Sequence, residues 1–338
     1  MKHTIKDVAA YAGFSIATVS RAINTPDVVG RVTLAKIREG IGALQFSPNP
    51  LGRQLRGKRT RLVGIVLPTL ANPVFAECLQ GINEFASAQG YQLMLMTTQY
   101  DSGRERHAIE TLRAQRVEGL ILTVADADTH PLLDALDHAG SRYVLMHNDT
   151  THRPAVSVDN RRAAYEGVRM LIAHGHRRIL MLAGARVDSD RVRLRHLGYS
   201  QAMQQAGLTP CPALELDANA AELAPSVLAR LTTDANRPTA VFCSNDWLAM
   251  GVMQGLRRAS YSVPEHLSVL GFDGLAAGQL LSPSLASLAT PNREIGCAAW
   301  QRLMSRIEGT PSCAALSLTL PHTLREGETV RAISAAFR

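Results

Sequence analysis

The chain has 338 residues, too many for one compact core, and its 46% hydrophobic and 19% charged content is a globular composition. Charge is unevenly placed: residues 1–61 hold eleven Lys and Arg against Asp7, Asp27 and Glu39, a net of +8, and the rest of the chain carries −1. No apolar run approaches the ~18 residues of a membrane span and Met1–Asp7 lacks the apolar stretch of a secretory signal. A basic module on a neutral body is therefore expected to meet a polyanion, nucleic acid before membrane.

The first 45 residues read as short helices. Thr4 with Asp7 resembles a capping box, and Ile5, Val8, Ala9 and Ala12 recur on one helical face. Gly13 breaks that pattern, and Ser15 can cap a second helix from about Ile16 to Ile23. Ala9 is small where two crossing helices must approach. Val19 and Ile23 point inward, and Ile16, Ala17, Thr18, Ser20 and Arg21 point outward. This pattern over residues 5–24 satisfies a helix-turn-helix, whose second helix fits the major groove. An ordinary surface helix in a small bundle would show the same alternation. A third amphipathic stretch carries Ile37, Ile41 and Leu44, with Gly40 and Gly42 inside it, each costing roughly 1 kcal/mol against Ala.

Ser47-Pro48-Asn49-Pro50 then opens a seven-residue helix that Gly57 stops, with Asn49 as its cap. That is far short of the ~12–15 residues needed for independent stability, so the helix should form only against DNA and a second copy. Leu55 lies among Arg53, Arg56, Lys58, Arg59 and Arg61, as a minor-groove wedge requires. A plain basic linker is the competing reading.

From Leu62 onward, short apolar runs alternate with helical stretches. The runs are Leu62–Leu67, Gln92–Thr97, Gly119–Val124, Tyr143–Met146, Ala155–Val158, Ile179–Leu182, Ala240–Cys243 and Leu267–Phe272. Continuous apolar strands separated by helices imply doubly wound parallel sheets covered on both faces, and their number implies two lobes. Five cysteines (Cys78, Cys211, Cys243, Cys297 and Cys313) fit neither a disulfide framework nor a zinc spacing. Reduced, mostly buried thiols in a cytoplasmic protein are expected, with no metal and no cofactor.

Several strings, in order over about residues 3–325, resemble the lactose-repressor/galactose-repressor (LacI/GalR) family of transcriptional regulators. They are Thr18-Val19-Ser20-Arg21, the Ser-Pro-Asn start of the hinge with its Leu-x-Gly-Lys exit, and Asn72-Pro73-Val74-Phe75. Val158-Asp159-Asn160, His174-Gly175-His176-Arg177-Arg178-Ile179, Ser244-Asn245-Asp246 and the run from Val263 to Asp273 complete the set. The resemblance implies an all-α helix-turn-helix headpiece at 1–46, a hinge helix and linker at 47–61, and a periplasmic-binding-protein-like (type I) body at 62–338. That body would have an N-lobe of about 62–160 and 292–320 and a C-lobe of about 161–290 and 321–338. The crossings would fall near Asn160, Thr290–Asn292 and Pro321.

The same resemblance implies a homodimer on a pseudopalindromic operator. Thr4, Ser15, Ile16, Ala17, Thr18, Ser20, Arg21, Asn24, Asn49, Leu55 and Arg56 are the implied DNA-contacting residues. Ile16, Ala17 and Arg21 would discriminate bases, and Leu55 would wedge into the central step. The Ile16-Ala17 pair resembles the subgroup whose operators centre on CpG. Two departures, Gly52 for the usual hinge alanine and Gly30-Arg31 for a Ser-rich start of helix three, imply a looser headpiece. The chain stops at Arg338 without a heptad array, which favours a dimer over a tetramer.

For the body, the resemblance implies a small effector between the lobes, with Phe75, Asp149, Arg195, Asn245 and Asp273 as its contacts. A carbohydrate suits them: carboxylates accept from hydroxyls, arginine forks them and an aromatic ring covers an apolar face. Two carboxylates beside one arginine favour a neutral polyol, with a sugar acid, sugar phosphate or nucleobase still open. Asp246 is expected to cap a helix, Trp247 to pack in the core, and His174 and His176 to be structural. Arg195 pairing with Asp188 or Asp190 is the alternative to a ligand role. There is no Gly-x-Gly-x-x-Gly after a strand, no Walker loop, no Gly-x-Ser-x-Gly and no His-Glu-x-x-His, so no enzyme is expected. The rival function is an effector-independent DNA-binding protein with a vestigial cleft.

Overall fold

The computed structural model of the protein describes residues 3–46, 59–184, 189–216, 223–310 and 315–333. Its internal contacts separate two units, Met1–Thr60 and Arg61–Arg338. The hinge residues expected to touch DNA, Asn49, Leu55 and Arg56, lie outside the described residues, as do Asp188 and Cys313.

The first unit holds α1 (Ile5–Ala12), α2 (Ile16–Asn24), a 3-10 turn at Pro26–Val28 and α3 (Arg31–Ala43). Each helix commits one aliphatic side chain fully to the centre, Val8, Val19 and Ile37, with Ala9 and Ala22 allowing close approach. At ~1.5–3 kcal/mol per fully buried aliphatic side chain, so few residues make a lightly stabilised core. Gly13 ends α1 at φ +73, a conformation that favours glycine. Gly40 has a steric reason to be small: a Cβ there would lie 2.9 Å from the Tyr11 ring, so α1 and α3 pack across it.

The second unit contains two six-stranded sheets. The first takes β1 (Leu62–Leu67), β2 (Gln92–Thr97), β3 (Gly119–Leu122), β4 (Tyr143–Met146), β5 (Ala155–Val158) and, from much later, β11 (Ser317–Leu320), in the order β11-β5-β4-β3-β1-β2. All its pairings are parallel. The second takes β6 (Ile179–Gly184), β7 (Leu214–Leu216), β8 (Ala240–Cys243), β9 (Ser268–Asp273), β10 (Ala286–Ala289) and β12 (Thr323–Arg325), in the order β12-β10-β9-β8-β6-β7. Only β12 in this sheet runs antiparallel to its neighbour. The eight strands expected from apolar runs are present, with ends shifted by two residues or fewer.

Both sheets are covered by helices whose lengths match the interposed amphipathic stretches. In the first lobe these are α4 (Pro73–Ala88), α5 (Ser102–Ala114) and α6 (Pro131–His138). In the second they are α7 (Asn160–Ala173), α8 (Asp190–Gln205), α9 (Pro225–Thr232), α10 (Asp246–Arg258) and the short α11 (Ala276–Gln279). α12 (Asn292–Glu308) returns to the first lobe and packs on α4, where small residues let the backbones touch. A Cβ on Gly81 would sit 2.2 Å from the Arg293 carbonyl oxygen, and one on Gly296 2.1 Å from that of Cys78. The chain passes between sheets three times: from β5 into α7, from β10 into α12, and from β11 to β12 through Pro321 and His322.

In each sheet the strand order reverses beside the first strand of the lobe, between β1 and β3 and between β6 and β8. Such switch points open crevices at the carboxyl ends of strands. The loops that leave β1, β2, β4, β6, β8 and β9 line one common cavity.

Candidate functional sites

In the first unit, α2 presents a continuous outer face. Ser15 caps the helix, its hydroxyl accepting from the Thr18 N–H at 3.1 Å and meeting the Thr18 hydroxyl at 2.9 Å. Ile16 is 41% exposed, and Ala17, Arg21 and Asn24 are also exposed. Thr18 and Ser20 are half-buried, and Asn24 donates its side-chain amide to the Ser20 carbonyl at 2.7 Å. An isoleucine that projects from the first turn of a capped helix, outside the core formed by Val19 and Ala22, adds no stability there that its exposure would explain. Thr4 is exposed at the start of α1, and its N–H and hydroxyl both donate to Asp7 Oδ2, at 2.7 and 2.9 Å. Those bonds hold the Asp7 carboxyl below its ordinary range.

In the second unit, the cavity between the lobes has a volume of about 420 Å³. Of the five residues expected there, Phe75, Arg195, Asn245 and Asp273 line it. Asp149 does not: it is half-buried outside the lining, its carboxyl pushed up to about 6 by burial and by neighbouring Asp159, Asp190 and Asp128.

Arg195 is held from three sides. Its Nε donates to Asn160 Oδ1 at 2.9 Å, one terminal nitrogen donates to the Ser244 carbonyl, and the other lies 3.4 Å from Asp273 Oδ1. Its guanidinium stacks on the Phe272 ring, 3.6 Å from the centroid. Among the described residues Arg195 pairs with buried Asp273 in place of the expected Asp190, and Asp188 lies outside the described residues. Asp273 ends β9 at φ +108, a strained backbone for a residue with a side chain. The crossing into α12 fixes it there: the Thr290 N–H donates to its carbonyl at 3.1 Å and the Asn292 amide at 3.4 Å. Burial pushes the Asp273 carboxyl up to about 6, opposed by Arg195 and by a hydrogen bond from Asn72 of the other lobe.

Two sequence expectations are corrected next to this pair. Asn245, not Asp246, caps α10, its side-chain oxygen accepting from the Leu248 N–H at 2.8 Å. Asp246, the first residue inside the helix, is fully buried and accepts from the Leu275 N–H and the Ser287 hydroxyl, both at 2.6 Å. Burial, and then Asp273, push its carboxyl up to about 7. Gly271 leaves the room it needs, since a Cβ there would lie 2.1 Å from Asp246 Oδ1. Trp247 is not core: it is 41% exposed and lines the cavity, because successive helical residues are turned by about 100°, so the phase that buries Asp246 leaves its neighbour on an open flank.

The sequence reading also missed Tyr100, His147, Ser189 and Arg191 in the lining. His147 meets Phe75 edge-on at 5.9 Å and lies 3.1 Å from Cys78 Sγ. Burial, with Arg191 and Arg195 nearby, lowers it to about 3, so it is uncharged at neutral pH. Arg191 stacks on Tyr100 and donates to Asp190 Oδ1 at 3.0 Å and to the Val124 carbonyl of the other lobe at 3.3 Å. Around it, the Asn148 amide reaches Asp190 at 2.7 Å and Arg193 pairs with Asp126 at 2.8 Å, so the start of α8 is tied to the first lobe. His176 bridges Thr239 and the Arg331 carbonyl, and His174 bonds the Met170 carbonyl, both structural. Among the described residues no His, Cys, Asp and Glu cluster could hold a metal, and no helix is long and apolar enough to cross a membrane.

Comparison with known proteins matches the same two units. Residues 4–49 match bacterial regulatory proteins of the lacI family, and residues 60–332 match the periplasmic binding proteins and sugar binding domain of the LacI family. The HTH-type transcriptional regulator GntR of Escherichia coli (strain K12) is 34% identical over 321 residues, covering 94% of this chain and 96% of that protein. The HTH-type transcriptional repressor PurR of Vibrio cholerae serotype O1 (strain M66-2) is 33% identical, covering 90% and 91%. The lac repressor dimer bound to operator and the anti-inducer ONPF superposes with a TM-score of 0.85 at 25% identity, over 98% of this chain and 100% of that one. A complex of the transcriptional regulator CelR with cellobiose gives 0.70 at 27% identity, over 97% and 100%.

Proposed function

The chain belongs to the LacI family of bacterial regulatory proteins, and from that premise we propose that it is a cytoplasmic, homodimeric repressor whose operator affinity is set by a carbohydrate or carbohydrate derivative held between its lobes. Its membership makes it a DNA-binding transcriptional regulator, not an enzyme.

The observation that carries the effector reading is the cavity itself. Phe75 comes from one lobe and Arg195, Asn245 and Asp273 from the other, so a ligand touching all four stabilises one arrangement of the lobes over others. A wall that keeps a buried Arg–Asp pair and a strained Asp273 is costly to maintain without a ligand, which weighs against a vestigial cleft.

On DNA, the exposed face of α2 reads one half-site, with Ile16, Ala17 and Arg21 at base edges and Thr4, Ser15, Thr18, Ser20 and Asn24 at the backbone or groove wall. Hinge residues Asn49, Leu55 and Arg56 act at a CpG-centred minor groove, Leu55 as the wedge. The two half-sites form a pseudopalindrome because the dimer is two-fold symmetric. Effector closing the lobes changes how the N-lobes of the two protomers face each other, and with it whether the hinge helices pair. A coupling of ~1–3 kcal/mol would change operator affinity roughly 5–150-fold.

The test is calorimetric titration of the full chain with a sugar library, with operator affinity measured by fluorescence anisotropy alongside. A ligand that binds in the cleft and shifts operator affinity is expected. Tight operator binding that no cleft ligand alters would return the chain to the effector-independent reading.

A further inference from the structure

The chemistry of the cleft wall narrows the effector beyond a carbohydrate in general, an inference that rests on the effector-binding reading above. Three cavity-lining residues, Ser189, Arg191 and Arg195, come from one helix start. Ser189 stands at the N-cap of α8, yet its hydroxyl makes no cap bond, and it is the buried side-chain oxygen without a partner among the described residues. A buried hydroxyl with no partner at the edge of a cavity costs free energy unless something else completes its bond. Arg191 and Arg195 are four residues apart, so they stack along the same face of α8.

The balance of charge on that wall is asymmetric. Among the described residues the lining holds two arginines, Arg191 and Arg195, and one carboxylate, Asp273. Asp273 already accepts from Asn72 and faces Arg195. Asp190, the partner of Arg191, is turned away from the cavity and saturated: the Asn148 amide, the Arg191 N–H and the Arg191 guanidinium occupy it at 2.7, 2.7 and 3.0 Å. Asp246 is sealed beneath the wall, and Asp149 lies outside it. His147 brings no charge. A neutral sugar needs acceptors for its hydroxyl hydrogens, and the α8 side of this wall contributes two arginines, which have donors only. The start of a 16-residue helix adds its own positive end to the same spot.

We propose that the effector is a polyhydroxylated molecule bearing one anionic group, carboxylate or phosphate, which sits at the first turn of α8 against Ser189 and Arg191, with Arg195, Asn245 and Asp273 on its hydroxyls. Carboxylate and phosphate both present the paired oxygens that a guanidinium fork and a hydroxyl recognise. The two carboxylates and one arginine read from the sequence favoured a neutral polyol. Moving Asp149 out of the lining and Arg191 into it reverses that balance.

The test uses matched probes on the full chain: aldohexoses, their uronates and aldonates, and their 6-phosphates, by isothermal titration. At least one anionic member should bind tenfold or more tighter than its neutral parent, and the carboxylate and phosphate arms identify which group the site takes. Arg191→Gln should reduce that preference ten- to a hundredfold, as loss of a charged hydrogen bond does. Arg191→Lys should restore part of the preference. Because Arg191 also ties α8 to Val124, the readout is the ratio of anionic to neutral affinity, which a general loosening of the cleft would leave unchanged. Neutral sugars binding as well as their acids, or a preference that survives Arg191→Gln, would overturn the proposal and leave effector control standing. Failure of every probe while operator binding persists would overturn both.

Discussion

Replacing Arg195 with leucine isolates what the buried pair in the cleft wall contributes. Leucine keeps apolar contact with the Phe272 ring but leaves Asp273, 4% exposed, without the guanidinium 3.4 Å away. It also vacates the bonds to Asn160 and the Ser244 carbonyl. Removing one partner of a buried pair costs about 3–5 kcal/mol, and a body of this size loses about 2–3 °C of melting temperature per kcal/mol, so a fall of roughly 6–15 °C is expected. The loss should depend on pH. The folded-state carboxyl of Asp273 stands at about 6, above its value in an unfolded chain, so the folded protein takes up that proton first. Its stability therefore rises as pH falls from about 6 towards 4, and without Arg195 the carboxyl titrates higher still. The gap between the two proteins should be widest above pH 7 and narrow towards pH 5, where Asp273 is protonated in both. Calorimetric melting across that range measures it. Adding Asp273→Asn to Arg195→Leu should recover most of the stability but no effector binding. Equal melting temperatures at neutral pH, or a gap that does not narrow, would refute the reasoning.

Four further outcomes are expected. Ile16→Ala should lower affinity for a selected operator about 5–150-fold, the equivalent of ~1–3 kcal/mol at one base position, and leave binding to scrambled duplex unchanged; equal losses would contradict a reading role. Leu55→Ala should likewise impair specific binding far more than non-specific binding, measured by the same anisotropy assay. Gly271→Ala forces a Cβ to 2.1 Å from the anchored Asp246 carboxylate and should cost about 3 kcal/mol; in an Asp246→Ala background most of that cost should vanish in a double-mutant cycle. Gly42→Ala meets nothing within 4 Å in the last turn of α3 and should stabilise the headpiece by about 0.5–1 kcal/mol in thermal melts.

Much of the fold is legible because its central strands are buried on both faces. Leu62–Leu67 and Tyr143–Met146 are continuous apolar runs, since every residue in them after Leu62 is buried and has no wet side to mark with a polar side chain. The strands that do not stand out are short or at an edge. Leu214–Leu216 and Thr323–Arg325 have three residues each at opposite ends of one sheet, and Ala286–Ala289 has one large apolar residue, Leu288, among small ones. Phe75, Asn245 and Asp273 could be located because each lies at a strand end or helix start inside a recognisable string. Arg191 could not: in Asp190-Arg191-Val192-Arg193-Leu194-Arg195 the charges read as a solvated face, and only the docking of α8 on Val124 and Asn148 buries it. The exchange of roles between Asn245 and Asp246 turns on one residue of helix phase, finer than a hydrophobic pattern resolves. Trp247 was misread for the same reason, because the phase that buries Asp246 lifts its neighbour into the cleft.

The +8 excess of residues 1–61 supplies the salt-dependent, sequence-blind share of DNA binding, while the uncharged Ile16, Ala17 and Leu55 carry selection in this account. The claim at its centre is that cleft and operator share one equilibrium, and linkage makes that claim reciprocal. The most direct measurement is therefore the affinity of the full chain for its effector, once with operator duplex bound and once without. The account predicts that operator changes effector affinity by the same factor, roughly 5–150-fold, by which effector changes operator affinity. Identical effector affinities in the two titrations would contradict it.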